Sequence, residues 1–193
     1  MSVSELISGL NKNDKSARKY LFETYYGKLF SKVLRYCKSQ AQAMEIFNAA
    51  FHVALQKLQL QKNLQIQLDD FLEKEVLLET IRLIKNIRSE YYVASTVHAT
   101  NKENRNYDLF EAGDIIDYTS LDNDVVIKAM QQLVPSQRLI FNLHVVEGYS
   151  LEKSAQILEA SEQTAKSNLE KARYNLQKNI EKTLKQSRYE QSF

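Results

Sequence analysis

Leu133-Val134-Pro135-Ser136-Gln137-Arg138-Leu139-Ile140-Phe141-Asn142-Leu143-His144-Val145-Val146-Glu147-Gly148-Tyr149-Ser150-Leu151-Glu152-Lys153-Ser154-Ala155-Gln156-Ile157-Leu158-Glu159-Ala160-Ser161-Glu162-Gln163-Thr164-Ala165-Lys166-Ser167-Asn168-Leu169-Glu170-Lys171-Ala172-Arg173 is the stretch that decides the fold. Pro135 presets the first turn of a helix whose inward side is Leu139, Ile140, Leu143 and Val146. Glu147-Gly148-Tyr149 breaks it, and Gly148 suits a left-handed turn. Ser150 then caps a second helix with Ala155, Ile157 and Leu158 inward, and Ser161 caps a third. On that last helix Ala165, Leu169, Ala172 and Leu176 recur at spacings of four, three and four. Its opposite side carries Gln163, Ser167, Glu170 and Tyr174, flanked by Lys166 and Lys171. This is a helix-turn-helix layout, in which one polar helix side fits the major groove of duplex DNA.

Outward from this stretch the chain reads as all-α. It has 193 residues, with Pro used once and Gly four times, so turn chemistry is scarce. No segment alternates like a strand. We expect two small helical domains joined by a flexible acidic linker. The boundaries are residues 1–92, a linker over 93–121, a second domain over 122–186 and a tail over 187–193. In the first domain, helices start near Ser4 and after the N-cap Asp14. The second of these runs through Ala17, Leu21, Phe22 and Tyr25, and Leu29, Val33, Leu34 and Cys37 form a stripe that suits one buried helix face. Ala43, Ile46, Phe47, Ala50, Phe51, Ala54, Leu55 and Leu58 form the next. A further helix is expected from Asp69 or Asp70 to about Tyr92. The linker is expected to hold at most a short helix around Ile115 and Ile116.

Net charge is only +2, but its distribution is uneven. Lys12, Lys15, Arg18, Lys19, Lys28, Lys32, Arg35 and Lys38 face only Asp14 and Glu23, whereas the stretch from Glu103 to Asp124 is acidic. Basic ends around an acidic middle suit a chain that touches polyanion at two places. Cys37 is the one cysteine, which excludes an internal disulfide and suits a reducing cytoplasm. No apolar run approaches membrane-spanning length, so no membrane insertion is expected. His52, His98 and His144 stand apart from one another, and neither a glycine loop for phosphate nor a nucleophile elbow occurs. Asp69, Asp70, Glu73 and Glu75 read as the negative first turn of a helix. No metal, cofactor or catalytic group is expected.

From Leu133 to Arg138, from Val145 to Ser150, and through Ala155, Ile157-Leu158, Thr164-Ala-Lys-Ser167, Leu169 and Ala172-Arg173, the chain resembles region four of the sigma-70 family. The likeness is strongest to the short extracytoplasmic-function sigma factors. It implies that this domain binds the minus-thirty-five promoter element, through Ser161, Gln163, Thr164, Lys166, Ser167, Asn168, Glu170, Lys171 and Arg173. It also implies contact with the flap of RNA polymerase. Tyr25 to Tyr36, followed by Ala43-Met-Glu-Ile-Phe-Asn-Ala-Ala-Phe51, is similar to region two of the same family. That similarity implies docking on core RNA polymerase through Glu45, Asn48 and Phe51. Arg82, Lys85 and Arg88, with Tyr91 and Tyr92, supply cations and stacking rings suited to single-stranded DNA at the minus-ten element.

Several positions depart from the family pattern. Glu159 stands where glycine is usual, and Asn168 where arginine is usual. Glu170 replaces a basic or polar residue. Glu79-Thr80-Ile81 stand in place of alanine-arginine-asparagine, and Lys85 in place of an aspartate. The expected function is promoter-specific initiation by a cytoplasmic sigma factor bound to core polymerase and promoter DNA, with an anti-sigma factor as a further partner. The departures keep two rivals open: a sigma-derived regulator that acts by protein interaction without initiating, and a simple helix-turn-helix regulator.

Overall fold

A computed structural model describes residues 2–61, 67–87 and 121–190, with side chains of the last helix described as far as Leu184. Every regular element among the described residues is helical. The chain divides into two compact units, Met1–Asn86 and Ile87–Phe193. The linker expected over 93–121 falls, up to residue 120, outside the described residues, as do Arg88, Tyr91, Tyr92 and the helix expected around Ile115.

The first unit holds α1 (Val3–Asn11), α2 (Lys15–Tyr36), α3 (Gln40–Gln59) and α4 (Leu68–Asn86). Ser2 caps α1 in a capping box: its hydroxyl accepts from Glu5 N at 3.2 Å, and the Glu5 carboxylate accepts from Ser2 N at 2.7 Å. Asp14 caps α2 as expected, accepting from Ser16 N at 2.8 Å. A Cβ on Gly9 would lie 2.7 Å from Ala17 Cβ, so only glycine allows α1 and α2 to cross this closely. Leu6, Leu10, Leu21, Leu29, Phe47, Leu58, Leu72 and Ile81 are fully buried between the four helices.

Phe22 stays outside that core. It is 41% exposed and starts a row of rings along the edge of α2 and α3. Its centroid is 5.0 Å from Tyr26, Tyr26 is 5.2 Å from Phe30, and Phe47 and Phe51 stack beneath at 5.4 Å. The acidic start of α4 does more than complement the helix dipole. Tyr25 Oη donates to Asp69 at 2.7 Å, Lys28 and Lys32 both pair with Glu73, and Lys57 meets Glu75 at 2.6 Å. These contacts tie α4 to α2 and α3. α4 ends at Asn86, and the expected continuation to Tyr92 lies, from residue 88, outside the described residues.

The second unit holds α5 (Asn123–Gln131), α6 (Pro135–Phe141), α7 (Leu151–Leu158) and α8 (Glu162–Glu190). Pro135 sits at the start of α6 as its fixed φ favours. α6 then widens into a π turn over Asn142–Val146, closed by Glu147 N donating to Asn142 O at 2.8 Å. The wide turn adds a residue to the register. Leu139, Ile140 and Leu143 stay buried, but Val146, expected inward, is rotated out and is 45% exposed. α8 has 29 residues and therefore runs about 43 Å. Ala172, Leu176 and Ile180 pack against Ala129, Met130 and Leu133, closing the core of this unit.

Candidate nucleic-acid interface

The turn between α6 and α7 uses Gly148 at φ +75°, and His144 Nδ1 donates to Tyr149 O at 2.8 Å across it. Because a carbonyl only accepts, the proton sits on Nδ1. Ser150 caps α7, its hydroxyl accepting from Lys153 N at 3.0 Å and its carbonyl accepting from the buried Ser154 hydroxyl at 2.9 Å.

The turn from α7 into α8 closes as a Schellman motif. Ala160 N donates to Ala155 O at 3.0 Å, and Glu159 N donates to Gln156 O at 3.1 Å. That motif needs a left-handed residue, and Glu159 supplies it at φ 55°, ψ 42°. The departure noted in the sequence is therefore accommodated without reshaping the turn, at the expense of left-handed strain on a residue with a Cβ.

Ser161 caps α8, accepting from Thr164 N at 3.1 Å, and the two hydroxyls lie 2.8 Å apart. Ala165, Leu169 and Ala172 are buried, so the helix presents its other side to solvent. Ser161, Gln163, Thr164, Lys166, Glu170 and Arg173 are exposed, while Ser167, Asn168 and Lys171 are half-buried. All nine residues expected to meet duplex DNA therefore lie between the N-cap and the fourth turn of one helix. Lys166, Lys171 and Arg173 surround Glu170, so this stretch is net cationic.

Polar groups without a role in the sequence pattern hold the helices of this unit together. Gln137, only 2% exposed, accepts from Asn175 Nδ2 at 2.8 Å, and Asn179 Nδ2 donates to Ala129 O at 3.0 Å. Arg138 is buried and donates to Gln131 O at 2.7 Å and Leu133 O at 3.1 Å, placing a cation at the negative end of α5. A charged residue one turn into a Pro-initiated helix, beside two apolar ones, was the available signal.

The remaining expected site residues lie in the first unit. Arg82, on α4, is exposed and donates twice to the buried Glu79 carboxylate, at 2.9 and 2.5 Å. Lys85 is half-buried on the same helix, and Arg88 lies outside the described residues. Glu79, Thr80 and Ile81 are all buried, so none of them faces solvent. On α3, Glu45 and Asn48 are exposed, whereas Phe51 is 6% exposed and belongs to the ring cluster. The described residues contain no grouping of His, Cys, Asp and Glu able to hold a metal ion, and no helix among them is long and apolar enough to cross a membrane.

A capped, cationic helix set after a tight turn on a second helix defines a helix-turn-helix protein. Residues 124–176 match the family model for sigma-70, region 4. The match identifies this segment as a sigma-70 region 4 domain. The chain is also similar to a solved structure, the sigma factor RpoE in complex with the anti-sigma factor NepR from Bartonella quintana. The identity is 20%, over 84% of this chain and 96% of that one, with a TM-score of 0.50. At this identity the likeness establishes the fold. Among curated proteins nothing matches.

Proposed function

We propose that this chain is an extracytoplasmic-function-type sigma factor, which binds core RNA polymerase and directs it to specific promoters. The observation that carries this reading is the outward row on α8, Gln163, Lys166, Glu170 and Arg173, within a domain that matches sigma-70 region 4. Lysine and arginine hold phosphates, while glutamine and glutamate address base edges. In this reading residues 1–92 dock on polymerase and meet the minus-ten element, 93–121 link the domains, and 122–186 bind the minus-thirty-five element. Two tethered contacts on one promoter raise the effective concentration of each for the other. The chain supplies recognition and leaves the chemistry to polymerase, within the cytoplasm. An anti-sigma factor is a fitting further partner, since the similar solved sigma factor is held by one. Purified chain, core polymerase and genomic templates test the proposal by run-off transcription. Discrete starts that need the chain support it, and none at any chain concentration overturns it.

One observation favours a second reading, a sigma-derived regulator that holds polymerase without opening DNA. The residues at the expected strand-reading positions, Glu79, Thr80 and Ile81, are buried, and Arg82 is engaged by Glu79. Core binding without starts is the result that selects it.

A further inference from the structure

Glu170 is the one acid on the outward side of the first turns of α8 beyond Glu162 at the helix start. It is exposed, and among the described residues it has no ion-pair partner. Arg173 lies one turn ahead, Lys166 one turn behind and Lys171 beside it, yet its carboxylate is left uncommitted. On the same side, Ser167 and Gln163 sit one and two turns toward the helix start, where a recognition helix approaches base edges.

From this placement we infer that Glu170 selects cytosine at one position of the duplex element bound by α8, an inference that rests on the sigma-factor reading above. An ionised carboxylate only accepts hydrogen bonds. In the major groove cytosine offers a single amino donor, N4, to such a group. Guanine presents the acceptors N7 and O6, and thymine presents O4 with a methyl group, so both set acceptor against acceptor. Adenine offers N6 but places the N7 acceptor beside it, which ranks it second. The three flanking cations serve the phosphates and offset the repulsion that a lone carboxylate meets at the DNA surface. Rejection of guanine and thymine by an unmatched charge makes Glu170 an excluding element as much as an attracting one.

The test is selection of randomised upstream duplex by the chain in complex with core polymerase, repeated with Glu170→Gln and Glu170→Ala. The expected result is one column dominated by cytosine, with about a tenfold preference over guanine. Glu170→Gln turns that column toward adenine, because a glutamine amide pairs with N6 and N7, and Glu170→Ala flattens it while the other columns persist. An enriched motif in which no column changes with residue 170 overturns the cytosine assignment and leaves the sigma reading standing. No enriched motif at all overturns both.

Discussion

Asn175, on the long last helix, donates its side-chain amide to Oε1 of Gln137 at 2.8 Å, joining α8 to α6 through a bond between two neutral side chains. Asn175 is half-buried and Gln137 almost wholly so. The bond lies just past the outward row that ends at Arg173, so it fixes the rotation of the helix about its own axis. A register change in α8 would break it and would also turn the apolar side of Ala165, Leu169 and Ala172 toward water.

Asn175→Ala leaves the Gln137 carbonyl buried without this donor. The expected cost is about 1–3 kcal/mol, the range for orphaning a buried polar group. Urea unfolding of the whole chain measures it. A loss below a few tenths of a kcal/mol would mean that the bond is not formed in solution.

Glu159→Gly relieves a left-handed residue in the Schellman turn that leads into α8. The expected gain is about 1 kcal/mol, the difference between glycine and an L-residue in this backbone region. Thermal melting reads it as a rise of a few degrees for the second unit. An unchanged or lower midpoint would show that Glu159 makes contacts worth more than the strain.

Glu73 links pH to the stability of the first unit. The Lys28 ammonium bonded to it, aided by Lys32, holds its carboxyl below the usual glutamate value of 4.5, against the upward push of burial. A group depressed on folding stabilises the fold in full above its unfolded pKa, and that contribution drains away as the pH falls through the folded value. Glu73→Gln is therefore expected to destabilise by about 1 kcal/mol at pH 7. The difference from wild type should shrink steadily below pH 4.5. A mutant gap that stays constant down to pH 2.5 contradicts the assignment.

Lys166→Ala and Lys171→Ala test the polarity of α8. If both hold phosphates, each substitution makes the dependence of log K on log salt shallower by about 0.9. Binding is expected to weaken about equally on all duplexes. An unaltered slope places the DNA contact on another surface.

Phe51→Ala separates packing from docking in the first unit. Its ring stacks on Phe47 and is 6% exposed, so truncation is expected to cost about 3 kcal/mol or more. Glu45→Arg lies in the open and is expected to leave stability within about 0.5 kcal/mol while weakening core polymerase binding. Equal loss of polymerase binding with no stability change in Phe51→Ala would require the ring to swing out of its cluster.

The caps at Asp14, Ser150 and Ser161, the break at Gly148 and the apolar rows of α3 and α8 were legible in the sequence, because each depends on near neighbours in the chain. Misreadings arose where distant residues intervened. A regular helical count turns Val146 inward, and one π turn rotates it out. Phe22 is half-open to solvent because it lies against Tyr26, Phe47 and Phe51 from outside rather than between the helices. The position of the α4 acids in a first turn explains them as dipole partners, yet Tyr25, Lys28, Lys32 and Lys57 engage them from two other helices.

The sequence by itself determined the helical class, the helix-turn-helix and the cationic outward side of α8, since capping and periodicity are local and α8 repeats them cleanly. Only the tertiary structure decided that Gln137 and Arg138 lie inside as anchors. Only it showed that Glu159 takes a conformation usually left to glycine and that Arg82 is held by a buried Glu79. Those outcomes depend on which polar groups find partners across the fold, and no spacing along a single chain encodes that.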